Sequence, residues 1–395
     1  MGQKFLEVKS TKTLLLSAYQ EHRSKYKEVR VIAVVLREEK AAYRCLLCCQ
    51  DHLHQSLGYQ RIHDDHFGFP YGAADIMCPV PSGCDTVSHI AVISHTAKET
   101  GVKEFLEVKN QKAKSDSFQF NFTVCFSTMF DFTNLLQLVQ SVEMLQLLGV
   151  NRIVIYKTSH SPEIKHLLDY YTQKGVVEVI PWLMTKYLNV SRSWRPDLSP
   201  GDIQYFGQIP ALNDCVYRYM YESRYVALHD VDELILPQSV NSWSELLPQL
   251  EEKYGKDKCY LFENHVFPNN ILLPSPTSQT LPPQSRWNKV PGLNILAYLY
   301  RETYVQQSNR KFIVNPRVVF ETSVHSLLRP WGIWKKVDKG IARMYHTRSS
   351  TQPHLVDTPG QLIYDARLLS YSSNLTSAVN TVLRESGLLP EGSII

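Results

Sequence analysis

What the chain has least of is uninterrupted apolar sequence. Its longest early apolar stretches, Thr13 to Leu16 and Val31 to Leu36, fall well short of the roughly 20 residues a bilayer-spanning helix requires, so no segment of this chain is expected to cross a membrane. A strong charge of either sign is missing too. With 42 Lys+Arg against 38 Asp+Glu, the formal net charge of +4 over 395 residues is too slight to hold nucleic acid. Charged residues make up 20% and apolar residues 44%, which excludes disordered and coiled-coil classes. What remains is a globular chain with room for two or three domains at about 150 residues each. Zinc-finger ligand spacing is also absent: among Cys45, Cys48, Cys49, Cys78 and Cys84, a Cys-x-x-Cys is followed by Cys-x5-Cys. Disulfides in an oxidising compartment and plain buried thiols are the leading readings, with zinc the least favoured. The sequons Asn121-Phe-Thr123, Asn189-Val-Ser191 and Asn374-Leu-Thr376 occur at close to chance frequency and barely favour a secretory location.

Residues 1 to about 112 break into short β-branched and apolar runs: Lys4 to Val8, Thr13 to Ala18, Val29 to Leu36, Tyr43 to Cys49 and His89 to Ser94. That spacing predicts a small β-sandwich or sheet. Phe-Leu-Glu-Val-Lys occurs at residues 5–9 and again at 105–109, which reads as two similar strands, since one shared pentapeptide does not make a repeat architecture. The polar stretch Lys112 to Ser117 is the expected seam between a β-rich unit, residues 1–115, and a second unit, residues 116–395. In the second unit strand and helix alternate. Strands are expected at Phe120 to Ser127, Arg152 to Tyr156, Val176 to Trp182 and Tyr225 to Leu228, and helices at Leu135 to Leu148, Pro162 to Gln173 and Tyr205 to Glu222. Such β-α-β connections imply an α/β unit: a mostly parallel sheet covered by helices, with ligands beyond the carboxyl ends of its strands. The Pro-rich stretch Pro268 to Pro291 reads as a lid or acceptor-facing loop. Strands near Asn294 to Tyr300, Phe312 to Val314 and Val318 to Thr322, then an amphipathic helix from Gln361 to Leu383, complete the expectation.

The strand Tyr225 to Leu228 runs into His229-Asp230-Val-Asp232-Glu233. Side chains two apart on a strand point the same way, so Asp230 and Asp232 can face one site. A hard divalent cation such as Mn²⁺ or Mg²⁺ takes oxygen ligands and leaves positions for phosphate oxygens. Asp-x-Asp alone arises by chance in a chain this long; its place at the end of a sheet strand is what gives it weight. The bland reading is a turn with two solvated acids. His325 and His346 lie late in the chain, and an isolated histidine is more often a satisfied core or surface residue than a ligand.

Three segments carry a resemblance: Val179-Ile-Pro-Trp182, Phe206-Gly-Gln208-Ile-Pro-Ala-Leu-Asn213-Asp214-Cys215-Val-Tyr-Arg218, and His229-Asp230-Val-Asp232-Glu233-Leu-Ile-Leu-Pro237. With Leu16-Ser-Ala-Tyr19 and Arg30-Val-Ile-Ala-Val34, they resemble glycosyltransferase family 92 over most of the chain. The resemblance implies a GT-A-type, Rossmann-like fold with helices on both faces of the sheet. It implies a metal-dependent hexosyltransferase moving galactose from UDP-galactose to a glycan on a glycoprotein or glycolipid, with Mn²⁺, inversion and a β-1,4 linkage. It also implies a Golgi membrane protein with a lumenal catalytic domain. Residue by residue, Asp230, Asp232 and His346, the last from His346-Thr-Arg348, are the implied metal ligands. Gln208, Asn213, Asp214, Asp230 and Lys311 are implied at the donor.

One-step inversion needs a base opposite the leaving group, and a carboxylate can serve. Glu263 and Glu302 are the candidates, each more readily read as a surface glutamate than as a base. The alternatives are a catalytically inactive glycan- or nucleotide-binding protein of the same fold, and a phosphatase of the Asp-x-Asp type, for which Leu234 stands where a threonine is wanted.

Overall fold

The computed structural model describes residues 4–50, 52–97, 102–113, 117–274, 287–330 and 332–389. Residues 114–116 of the expected seam and 275–286 of the Pro-rich stretch lie outside the described residues.

Eight strands come first: β1 (Leu6–Val8), β2 (Thr13–Glu21), β3 (Glu28–Leu36), β4 (Tyr43–Cys49), β5 (His52–Ile62), β6 (Tyr71–Pro79), β7 (Val87–Ser94) and β8 (Leu106–Lys109). They pair in the order β1-β2-β3-β6-β5-β4-β7-β8, and β8 returns to β2 in parallel, with Val108 opposite Ala18. The strands from β2 to β8 thus close into a barrel of seven. Both copies of the repeated pentapeptide contribute strands that flank β2. The barrel replaces the expected sandwich because alternate residues of successive strands fill one interior: Val29, Val31, Ala33 and Val35 of β3, Tyr43, Cys45, Leu47 and Cys49 of β4, and Ala74, Ile76 and Cys78 of β6. Disulfides Cys45–Cys78 and Cys49–Cys84 lie there, a third joins Cys125 to Cys215, and Cys48 and Cys259 are free thiols. The other faces of β2 and β3, with Leu14, Leu16, Tyr19, Ile32 and Val34, are buried in a second core.

That core belongs to the rest of the chain. In order come β9 (Phe120–Met129), α1 (Leu135–Leu147), β10 (Arg152–Lys157), α2 (Pro162–Gln173), β11 (Val177–Pro181), α3 (Gln208–Arg218), β12 (Ser223–Leu228), β13 (Glu233–Pro237), α4 (Trp243–Tyr254) and β14 (Cys259–Pro268). Then follow β15 (Tyr300–Arg301), β16 (Gln306–Val314), β17 (Glu321–Thr322), β18 (Leu327–Arg329), β19 (Trp334–Lys336), β20 (Ala342–Arg348), β21 (Ile363–Tyr364) and α5 (Ser372–Glu385). Helix starts follow side-chain caps: Asn134 for α1, Ser161 with Pro162 for α2, and Ser242 with Glu245 for α4. A mixed sheet runs β11-β10-β9-β12-β16-β14-β20-β13, with β19 beside β14. Helices α1, α2, α4 and α5 cover one face over Phe122, Val124, Ile153 and Ile155. The other face packs Val154, Tyr156, Val226 and Leu228 against α3 and the barrel wall.

The GT-A-type, Rossmann-like, mostly parallel sheet with helices on both faces is therefore overturned. The chain is strand-rich, a closed barrel beside a mixed sheet, and on one side the barrel wall with α3 takes the place of a full helical layer. The β-α-β reading holds for β11, β10, β9 and β12, which are parallel, and stops there. Parallel neighbours need a crossover of about a dozen or more residues, usually helical. From β14 to β20 no described α-helix intervenes, and β16 runs antiparallel to both β12 and β14, as β13 does to β20. Three boundaries also move. Helix α3 begins at Gln208, because Tyr205, Phe206 and Gly207 all hold positive φ. Asn294 to Tyr300 is a 3₁₀ turn, Ile295–Ala297, leading into β15. Helix α5 begins at Ser372 after β21 and a 3₁₀ turn at Arg367–Tyr371.

Candidate active site

The site is a product of sheet order. Strand β12 lies mid-sheet against β16, whereas β13, only a four-residue turn later, pairs with β20 at the far edge. The turn His229–Asp232 therefore passes β16 and reaches β20. Lys311 sits on β16 one residue beyond the Leu228–Phe312 pair, and His346 on β20 lies directly opposite Glu233. Crossing the sheet brings the two acids to a lysine 81 positions and a histidine 114 positions downstream.

Lys311 Nζ donates to Asp230 Oδ2 at 2.9 Å and pairs with Glu233 Oε2 at 3.2 Å. Glu233 Oε2 also accepts from the Asp230 backbone N–H at 2.8 Å, which fixes the turn. Ser127, near the carboxyl end of β9, donates to Asp230 Oδ1 at 2.8 Å and accepts from Gln208 Nε2 at 2.8 Å. His346 Nε2 stands 3.2 Å from Asp232 Oδ2. The Asp230 and Asp232 side chains stay 34% and 32% exposed, while Lys311 and Glu233 are 2% and 1% exposed, so the charges are anchored from below and open on one side.

The electrostatics follow from that asymmetry. Desolvation opposes ionisation of Asp230, yet the Lys311 ammonium and the Ser127 hydroxyl hold its carboxyl well below the usual range. Burial pushes Glu233 up against the pull of Lys311. Burial would lower Lys311 and His346, but the surrounding carboxylates outweigh it and raise both. His325 meets the Arg310 carbonyl at 3.3 Å, and burial together with Lys311 lowers its pKa to about 3, so it is neutral.

The remaining predicted residues fall in separate settings. Gln208 reaches the cluster through Ser127. Asn213 ties α3 to β17, donating to the Thr322 carbonyl at 2.7 Å and accepting from its N–H at 3.0 Å. Asp214 is fully buried between the barrel and the sheet, accepting from Ser17, Tyr19, Tyr156 and Arg218. Glu302 is buried too, and its oxygens accept from Ser350, Thr351 and Gln352. Glu263 pairs with Lys336 at 2.5 Å in an open cleft of about 520 Å³ lined also by Lys253, Tyr254 and Asp338. The turn thus gathers Asp230, Asp232, Lys311, His346 and Gln208, and leaves Asn213, Asp214, Glu263 and Glu302 in other settings. Sequence reasoning passes over Ser127 and the anchoring role of Glu233. The signal for Ser127 is its position at the end of a parallel strand, where α/β sheets hold ligands.

Two partly exposed acids over a buried ammonium and a buried imidazole thus form one charged cluster beyond the end of β12. The chain belongs to glycosyltransferase family 92, whose description matches residues 120–385. It is 27% identical over 217 residues to the galactan beta-1,4-galactosyltransferase GALS2 of Arabidopsis thaliana, covering 54% of this chain and 39% of that protein. It is 23% identical over 282 residues to the beta-1,4-galactosyltransferase galt-1 of Caenorhabditis elegans, covering 68% of this chain and 59% of that protein. A family 92 protein of the same nematode, F13G3.3, is 27% identical over 122 residues, 31% of this chain and 24% of its own. The matches thus span between a quarter and three-fifths of these relatives.

Proposed function

We propose that this transferase moves galactose from UDP-galactose to a glycan acceptor on a glycoprotein or glycolipid, forming a β-1,4 linkage with inversion. One observation carries the reading: the turn His229–Glu233 sets Asp230 and Asp232 against Lys311 and His346. The names of the two galactosyltransferase relatives support the donor and the linkage.

The donor types suit Mn²⁺, two partly exposed carboxylates and an imidazole whose Nδ1 stands 3.6 Å from Glu233 Oε1, although among the described residues the three do not converge on one point. Asp230, Asp232 and His346 would hold the ion, which when bound would neutralise charge building on the diphosphate. Lys311, fixed between Asp230 and Glu233, adds a cation that needs no reorganisation as the sugar–phosphate bond breaks. Gln208, through Ser127, fixes the rotamer of Asp230. Three disulfides fit an oxidising lumen, and we place the activity in the Golgi on that ground and on the family's. Among the described residues no helix is long and apolar enough to cross a membrane.

The test is release of UDP from UDP-galactose by the purified protein with Mn²⁺. Asp232→Ala should lower turnover by about 10²-fold or more at unchanged far-UV circular dichroism. Transfer that persists in that variant, or that survives chelation, overturns the reading.

A further inference from the structure

Among the described tryptophans, Trp182, Trp243 and Trp287 are buried and Trp334 is half-buried, whereas Trp194 is 52% exposed. It sits on a loop whose ends meet, with Val190 bridging Ile203 and the Asp202 N–H donating to the Asn189 carbonyl at 2.6 Å. The buried Ser191 hydroxyl ties the interior by reaching the carbonyls of Ser193 at 3.0 Å and Ser199 at 2.6 Å. A Cβ at Gly201 would stand 2.6 Å from the Ser191 nitrogen, so the loop closes only with glycine there. The indole is carried by a stiff support, and its ring is braced by Phe67 of the barrel, edge-on at 6.2 Å, with the Arg195 guanidinium 5.5 Å from its centroid.

The support adjoins the acidic turn. The Tyr205 N–H donates to the Ser193 carbonyl at 3.2 Å, one residue before Trp194. The Tyr205 carbonyl in turn accepts from Thr128, the neighbour of Ser127, which touches Asp230. A rigid aromatic held half in water costs solvation but little side-chain entropy when it binds, which makes it an effective anchor for a flat amphipathic partner. A pyranose ring is such a partner, with an apolar C–H face and hydroxyls at its rim.

We propose that Trp194 is the platform on which a sugar ring of the acceptor glycan stacks, with the barrel's Phe67 steadying it. This deepens the galactosyltransferase reading and rests on it for the identity of the site. The experiment measures binding of wild type, Trp194→Ala, Trp194→Phe and the control Leu198→Ala to a panel of fluorescent β-galactosyl, β-N-acetylglucosaminyl and fucosyl oligosaccharides, by fluorescence polarisation. Leu198 lies on the same loop and is 63% exposed. Binding of at least one oligosaccharide, weakened about tenfold or more in Trp194→Ala, partly restored in Trp194→Phe and unchanged in Leu198→Ala, supports the platform. Equal binding by wild type and Trp194→Ala, or no oligosaccharide bound by wild type, overturns it. UDP release from UDP-galactose is scored separately, so a protein that binds glycan through Trp194 yet does not turn over this donor would refute the galactosyltransferase reading and leave the platform standing.

Discussion

Replacing Asp214 by Asn separates a structural role from the donor-binding role that the family resemblance implies. Its Oδ1 accepts from Ser17 at 2.5 Å and Tyr19 at 2.7 Å, both on β2 of the barrel, and its Oδ2 from Tyr156 of β10 at 2.6 Å and Arg218 Nη2 at 2.9 Å. One carboxylate joins barrel, sheet and α3. Burial disfavours its ionisation, but Arg218 and the three hydroxyls hold its pKa below the ordinary value. Asparagine keeps the shape but loses the charge and one acceptor oxygen; the Ser17, Tyr19 and Tyr156 hydroxyls can reorient to accept from its NH₂ group, whereas the mostly buried Arg218 guanidinium cannot accept and loses this ion pair. Breaking a buried pair in this way costs about 3–5 kcal/mol. With a urea slope of roughly 4 kcal/mol/M, in line with a chain larger than the small domains from which slopes are known, the midpoint should fall by about 1 M. The assay is urea unfolding of wild type, Asp214→Asn, Arg218→Met and the double variant. The double variant should lose about 1–2 kcal/mol less than the sum of the single losses. A midpoint for Asp214→Asn within about 0.2 M of wild type, together with lost UDP binding, would refute the structural reasoning.

Three further outcomes follow from the geometry. Gly207 holds φ +75°, and an added Cβ would come within 2.9 Å of Met184 Cε, so Gly207→Ala should cost about 1–3 kcal/mol in thermal unfolding and slow turnover by displacing Gln208; an unchanged melt would sink this. Glu302→Gln should loosen residues 349–352, seen as faster hydrogen exchange there, while turnover changes little; a collapse of kcat with exchange unchanged would instead make Glu302 the base. His265 is buried with both ring nitrogens lacking partners, and burial, aided by Arg301 and Arg343, lowers its pKa from 6.5 to about 4. The folded state then binds fewer protons than the unfolded one between those values. The stability His265 allows is full above pH 6.5 and is lost as pH falls toward 4, by on the order of 3 kcal/mol. Urea midpoints at about pH 7 and 4.5 should converge in His265→Leu relative to wild type, and an undiminished slope counts against the assignment.

The alternation from Phe120 to Trp182 is legible because each helix carries its own period and cap, and the strands between them are short apolar runs. Asp230 and Asp232 are legible because they are neighbours in sequence. Lys311 and His346 enter only through the family resemblance, since nothing local announces that β13 will skip three strands and pair with β20. Tyr205 to Gly207 is helix-compatible by residue type, and the left-handed turn becomes visible only when Trp182 Nε1 is found donating to the Phe206 carbonyl at 2.8 Å. The barrel's closure is equally hidden, because a parallel pair between β2 and β8 leaves no trace in the spacing of either strand. The same holds for Asp214, whose partners Ser17 and Tyr19 look like ordinary strand residues.

The position of β2 sets a clock for synthesis. Its inner seam is completed only when Val108 arrives, and the hydroxyls of Ser17 and Tyr19 wait for an acid 197 and 195 residues later. At about 5–20 residues per second, a nascent chain spends on the order of 10–40 s with β2 paired to its neighbours in the barrel but with the Ser17 and Tyr19 hydroxyls still lacking this acid. The amino-terminal third is made first but is covered only once Asp214 has followed, and the folding helpers of the compartment that receives this chain have that interval in which to act on it.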